Sequence, residues 1–119
     1  AVPPDEIVAH YKAFLLDVME KAPETQIIVH NIMPVAAYMD TLDTRPWAPT
    51  NKKINDANYF IVRMCEELDI PFLYTAPILK DENGLGYDQY YYNDHIHLTS
   101  TAQQMVYEYI ITHPYLDGN

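Results

Sequence analysis

Two residues near the carboxyl end of the chain, Asp94 and His97, have the types and the spacing that acid–base chemistry requires. They lie three positions apart in the segment 93–99, NDHIHLT. On a tight loop, this spacing lets the carboxylate bond to one imidazole nitrogen, which fixes the tautomer and leaves the other nitrogen free as a base. Such a pair activates a serine nucleophile. The segment therefore predicts an Asp94–His97 pair, although the spacing alone also fits a polar surface loop.

A second pattern in the same segment is the pair His95 and His97, which would share one face of an extended chain. Two imidazoles beside a carboxylate favour a metal ion. A zinc site needs three or four ligands, however, and the spacing places no third one; His30 would join only through tertiary proximity. We therefore predict no metal and no cofactor, and keep ligation by His95 and His97 as an alternative.

Alternating helices and strands must position these residues. Two short apolar runs, 26–30 and 70–74, predict strands, and the lack of alternation in the first predicts that this strand is buried on both faces. Helical spacing of apolar residues predicts helices over about 3–21, 51–68 and 99–113. The order helix, strand, helix, strand, helix is typical of an α/β domain in which helices cover a parallel sheet.

Caps and apolar stripes define the later helices more closely. Thr50 or Asn51 can cap the second helix, and Ser100 with Gln103 fits a capping box at the third. The stripes predicted to be buried are Ile54, Ala57, Ile61, Cys65 and Leu68 in the second helix, and Ala102, Met105, Val106, Tyr109 and Ile110 in the third. The segment 31–49, with three prolines and no clear period, is predicted to be a loop.

Composition excludes several classes of partner. The chain of 119 residues suits one compact domain. Its 17 acidic and 7 basic residues give a net charge of −10, which repels nucleic acid and anionic lipid. No apolar run approaches the ~18 residues of a membrane span. Cys65 is the only cysteine, so no disulfide forms within the chain, and its apolar surroundings predict a core residue.

The number of strands is too small for a complete domain of this class. Two parallel strands make a poor sheet, and their outer edges would expose unpaired backbone groups. The sequence therefore predicts part of an α/β sandwich whose N-terminal strands are missing. A second copy of the chain could instead cover the exposed sheet edge or a helix face in a homodimer, or the loops could supply an extra strand.

The block Asp94-x-x-His97-Leu98-Thr99, which leads into a terminal amphipathic helix, resembles the last conserved block of SGNH/GDSL-type hydrolases, the GDSL-like lipase and acylhydrolase family. The strand entry at 24–29, the pair Met33-Pro34 and the order of later elements also resemble that family, so the resemblance covers about 3–113. It implies a flavodoxin-like three-layer sandwich with a parallel sheet, and cofactor-independent hydrolysis of acyl or acetyl esters of lipids or sugars. Asp94 would be the triad aspartate and His97 the catalytic histidine.

The chain departs from this family in the blocks that it lacks. The family's nucleophilic serine in Gly-Asp-Ser, and the glycine and asparagine of its oxyanion hole, have no counterpart here. The only serine, Ser100, lies at a helix start, where capping is the ordinary role. The resemblance therefore implies that 1–119 is the C-terminal portion of a single SGNH-hydrolase-like domain, inactive by itself. The alternative is a non-catalytic, self-associating α/β module, with or without a metal at His95 and His97.

An aromatic tract precedes the Asp94–His97 segment. Tyr87, Tyr90, Tyr91 and Tyr92 are expected to pack the loop against the last helix or to form an interface. Aromatic side chains also line acyl and sugar pockets, so a pocket wall is the alternative, and Trp47 in the long loop is a candidate for the same role.

Overall fold

The computed structural model of the chain describes residues 3–113, and the predicted order of elements is confirmed. Three helices alternate with two short parallel strands: α1 (Pro4–Lys21), β1 (Val29–His30), α2 (Asn51–Leu68), β2 (Phe72–Leu73) and α3 (Ser100–Thr112). Short 3₁₀ helices occupy Ala37–Leu42, Ala76–Leu79 and Asp88–Tyr90. No helix within residues 3–113 has both the length and the hydrophobicity needed to cross a membrane. The architecture is α/β, compatible with part of a flavodoxin-like sandwich.

The sheet consists of β1 and β2 alone in the described part of the chain. Val29 lies opposite Phe72, and its N–H donates to the carbonyl of Pro71 over 3.0 Å. Both strands are shorter than the predicted runs, and the prediction of burial on both faces is wrong for β1, because Val29 is buried whereas His30 is only half-buried. A strand with one partner and one covering layer cannot bury both faces or satisfy both edges.

The main core lies between α1, α2 and the sheet. Its members are the buried side chains of Val8, Leu15, Val29, Ile61, Met64, Cys65 and Ile70. The predicted stripe of α2 is confirmed, with only its last member, Leu68, half-buried. Cys65 is a free, buried cysteine, as its apolar surroundings predicted.

The caps of α2 and α3 follow from local hydrogen bonds. The hydroxyl of Thr50 accepts from the N–H of Lys53 over 3.3 Å, so Thr50 is the cap of α2. The predicted capping box at Ser100 is wrong by one position, because Thr99 caps α3 by accepting from the N–H of Ala102 over 3.2 Å. Ser100 is the first helical residue and its side chain is exposed.

The outer face of α3 is apolar and uncovered. Of its predicted buried stripe only Ala102 is buried, and Ile110 is exposed, so the prediction is wrong for Ile110. Ile111 on the same helix is 58% exposed, and Phe14 of α1 is 61% exposed. A two-stranded sheet is too narrow to cover these faces, so both helices present apolar surface to solvent.

The long loop between β1 and α2 is ordered by one buried amide. The Asn51 side chain accepts from the N–H of Val35 over 3.1 Å and donates to its carbonyl over 2.8 Å. It also donates to the Asp40 carboxylate over 2.9 Å. These bonds attach the loop to the first turn of α2, and a second apolar cluster, Val35, Met39, Ala48 and Ile54, fills the space beneath it.

Candidate active site

A short closed loop precedes α3 and carries Asp94 and His97. The N–H of Tyr92 donates to the carbonyl of His97 over 2.9 Å, and the N–H of His95 donates to the carbonyl of Tyr92 over 2.9 Å. His95 has a φ of 63°, in the left-handed region that residues other than glycine rarely adopt. This single left-handed residue turns the chain so that Asp94 and His97 face each other.

Both carboxylate oxygens of Asp94 are engaged. One oxygen accepts from the N–H of Ile96 over 3.0 Å and from the N–H of His97 over 2.9 Å. The other contacts Nδ1 of the His97 ring. The hydrogen bonds from the His97 backbone, the His97 ring and the Ile96 backbone hold the pKa of Asp94 well below its usual range. Asp94 is therefore an anion throughout the neutral pH range, fixed against the ring.

The second ring nitrogen of His97 is Nε2, the candidate base. No residue within 3–113 forms a hydrogen bond with Nε2, and the side chain is 78% exposed. A neutral imidazole that donates from Nδ1 to a carboxylate carries a lone pair on Nε2, which is then available as a base. The arrangement can accept a proton from a hydroxyl that approaches from solvent.

The rings of His95 and His30 each contact a residue outside the Asp94–His97 pair. The His95 ring packs on that of Tyr38 with ring centroids 4.5 Å apart, and His30 Nε2 lies 2.7 Å from the Thr75 hydroxyl. Among residues 3–113, no three histidine, cysteine or acidic side chains form a cluster able to hold a metal ion. Ser100, at the start of α3, forms no hydrogen bond with His97.

A buried polar network at the carboxyl ends of β1 and β2 was not predicted from the sequence. Asn31 follows β1, and its side-chain oxygen accepts from the N–H of Thr75 over 2.7 Å and from the N–H of Ala76 over 3.2 Å. The buried Thr75 hydroxyl in turn contacts His30. The available signal was a polar residue directly after each apolar run, at the sheet edge where α/β folds place their ligands.

The tyrosines of the aromatic tract differ in burial. Tyr91 is buried, donates its hydroxyl to the carbonyl of Pro34 over 2.7 Å, and has a pKa raised by that burial. Tyr91 is therefore a packing residue, but its hydrogen bond is to the segment after β1 and not to the last helix that the prediction named. Tyr92 and Trp47 are exposed, and the Arg45 guanidinium lies 5.7 Å from the Trp47 ring centroid.

Gly86 allows the closest approach of the loop segments in this region. A Cβ at this position would lie 2.3 Å from the carbonyl oxygen of Val35 and 2.6 Å from the hydroxyl of Tyr91. Only glycine fits here without displacing the backbone. Because Gly86 has no side chain, the loop that leads to the aromatic tract can pack directly against the segment after β1.

Two solved structures share this fold. A protein of Streptococcus pneumonia, provisionally named platelet activating factor, superposes with a TM-score of 0.78 and 21% identity over 93% of this chain and 51% of its own. The esterase domain of the ORF1 protein from the zebrafish ZfL2-1 retrotransposon has a TM-score of 0.69 and 14% identity over 94% of this chain and 59% of its own. The chain thus spans a little over half the length of each neighbour.

The comparisons by sequence return nothing further: no family model matches the chain, and no curated protein matches it. At identities of 21% and 14%, the likeness to the two structures establishes the fold of the chain, an α/β fold shared with an esterase domain.

Proposed function

We propose that the chain is the C-terminal part of a serine ester hydrolase of the SGNH/GDSL type, in which Asp94 and His97 are two members of the catalytic triad. One observation carries the proposal: Asp94 contacts Nδ1 of His97, while Nε2 is exposed and without a partner among residues 3–113. A fold shared with an esterase domain supports it. The proposed mechanism calls for neither a metal nor a cofactor.

The proposed reaction uses His97 twice. Nε2 takes the proton of a serine hydroxyl as its oxygen attacks the carbonyl carbon of the ester, and then gives that proton to the departing alcohol. Water hydrolyses the resulting acyl-enzyme by the same proton transfers in reverse order. Asp94 stays ionised throughout and stabilises the imidazolium that forms each time Nε2 accepts a proton, first from serine and then from water.

The serine and the oxyanion donors would come from the other part of the same domain. Three features of the described residues support this: β1 has no second strand partner, α1 exposes Phe14, and α3 exposes Ile111. Both neighbouring structures are longer than this chain, which covers 51% of one and 59% of the other. Without those groups the chain alone would not hydrolyse esters, because a single oxyanion donor is worth about 10²–10³-fold in rate. The proposed substrates are small acyl or acetyl esters of lipids or sugars.

The test is turnover of p-nitrophenyl acetate by the protein that includes the residues preceding Ala1. We expect turnover that His97→Ala abolishes, while the matched variant His10→Ala, which alters an exposed histidine on α1, leaves it unchanged. Turnover by the His97→Ala protein at the parent rate would contradict the assignment of the base.

The second candidate is a non-catalytic, self-associating module. It is favoured by the same exposed surfaces, since a second copy could pair with the open edge of β1 or cover the apolar face of α3. Sedimentation of the 119-residue chain distinguishes this candidate: a dimer stable at micromolar concentration supports it, and a monomer at all concentrations contradicts it.

A further inference from the structure

A cavity lies apart from the Asp94–His97 loop, between α2 on one side and β2 with the chain that follows it on the other. It has a volume of about 630 Å³, within the range of ligand pockets. The side chains on which its chemistry depends are Asn55, Tyr59 and Val62 on α2, and Phe72, Tyr74 and Lys80 on the opposite wall. No residue of the candidate active site contributes to this cavity.

The aromatic walls follow from the periodicity of the two elements. Tyr59 is four residues after Asn55, so both side chains lie on one face of α2. Phe72 and Tyr74 are two residues apart on an extended segment and share a face, with ring centroids 6.0 Å apart. Tyr59 is 57% exposed and its ring also lies 5.9 Å from the Arg63 guanidinium. These rings offer flat apolar surface to the cavity.

The polar end of the cavity is a cation without an acidic partner. The Lys80 ammonium donates to Oδ1 of Asn55 over 2.8 Å and lies 6.0 Å from the Tyr74 ring centroid. No carboxylate within residues 3–113 lies within 4.0 Å of it, although the chain carries a net charge of −10. Burial lowers the pKa of Lys80, so this ammonium is partly stripped of water.

The Asn55 amide completes the polar end. Its oxygen is held by Lys80, whereas no hydrogen bond within the described residues uses its Nδ2 group. An ammonium and an amide N–H side by side match the two oxygens of one carboxylate. One cation suits a monoanion, and the flat rings beside it suit an aromatic body.

We propose that this cavity binds a small aromatic carboxylate, with its carboxylate on Lys80 and Asn55 and its ring against Tyr59 and Tyr74. The inference is independent of the proposed esterase activity, since the two sites have no residue in common.

Titration of the full 119-residue chain with benzoate, followed by amide NMR, tests this site. We expect saturable shifts of the backbone and side-chain amide signals of Asn55 and of the backbone amide signal of Lys80. Benzyl alcohol, which has the ring without the charge, and acetate, which has the charge without the ring, should each bind at least about tenfold more weakly. Benzyl alcohol loses the charge-assisted hydrogen bonds, and acetate loses the ring contacts with Tyr59 and Tyr74.

Two variants locate the binding group. Lys80→Gln should weaken benzoate binding about tenfold or more, whereas Lys52→Gln, which removes the same charge from an exposed position on α2 outside the cavity, should leave it unchanged. Asn55→Asp places a carboxylate on Lys80 and should abolish binding, and it provides the same test if Lys80→Gln does not fold. The proposal would be overturned if benzoate and benzyl alcohol bound equally well, or if Lys80→Gln and Asn55→Asp both bound benzoate as tightly as the parent chain. It would also be overturned if benzoate gave no saturable shift up to about 20 mM.

Discussion

The left-handed conformation of His95 determines the geometry between Asp94 and His97. A residue with a Cβ at φ 63° is disfavoured by roughly 1 kcal/mol relative to glycine, and the His95 ring packs on Tyr38. The sequence allowed an extended His95–His97 pair with both rings on one face, but the backbone turns at His95 instead. Local spacing alone did not reveal this turn.

A glycine at position 95 should therefore be tolerated better than an alanine. Both substitutions remove the ring contact with Tyr38, but only glycine removes the conformational penalty. We expect His95→Gly to be more stable than His95→Ala by about 1 kcal/mol in denaturant unfolding. Equal stabilities would show that position 95 does not adopt the left-handed conformation in solution.

The depressed pKa of Asp94 predicts a pH dependence of stability. A carboxyl group with a lower pKa in the folded protein stabilises the fold above the ordinary aspartate pKa, and this contribution is lost as the pH falls through the folded value. The stability difference between the parent chain and Asp94→Asn should thus be present at neutral pH and shrink on acidification. Chemical unfolding at a series of pH values measures it, and a difference that grows on acidification would contradict the hydrogen bonding described.

At the scale of elements, the sequence predicted which residues form helices better than which faces are buried. The stripe of α2 is buried because α1 and the sheet cover Cys65, and the loop between β1 and α2 covers Ile54. The stripe of α3 has the same periodicity, but Ile110 is exposed. Periodicity identifies the apolar face of a helix, whereas burial also requires another element to cover it.

The start of α3 shows that a capping motif in the sequence can locate the end of a helix without identifying the residue that makes the cap. Thr99 makes the cap bond and Ser100 does not, although both are good capping residues. Thr99→Ala should lower the free energy of unfolding by about 1 kcal/mol, while Ser100→Ala should change it by less than about 0.5 kcal/mol. Thermal unfolding of both variants checks the assignment, and a larger loss for Ser100→Ala would reverse it.

Substitution in the polar network between the strand ends should lower the free energy of unfolding more than substitution of a helix cap. Asn31→Ala leaves the buried N–H groups of Thr75 and Ala76 without an acceptor, at a cost of about 1–3 kcal/mol each. Asn83→Ala, which removes an exposed amide in the turn near Gly84, should change stability by less than about 0.5 kcal/mol. Similar unfolding midpoints for the two variants would contradict the network.

For the whole molecule, the order of elements was predictable because each apolar run is long enough to specify a helix or a strand. The lengths of β1 and β2 were not, because a strand extends only as far as a partner pairs with it, and within residues 3–113 each strand has one partner. The open edge of β1 and the exposed Phe14 and Ile111 are consistent with one half of a larger sandwich. The proposed hydrolase and the self-associating module differ in what covers these surfaces.

The central claim is that Asp94 acts through His97 in ester hydrolysis, and a double-mutant cycle on the protein including the residues before Ala1 tests it most directly. With p-nitrophenyl acetate, His97→Ala should lower kcat by about 10³–10⁴-fold or more, and Asp94→Asn should cause a comparable loss. Because both residues form one unit, the double variant should be no slower than His97→Ala alone. Losses that multiply, or turnover undiminished by either substitution, would contradict the account.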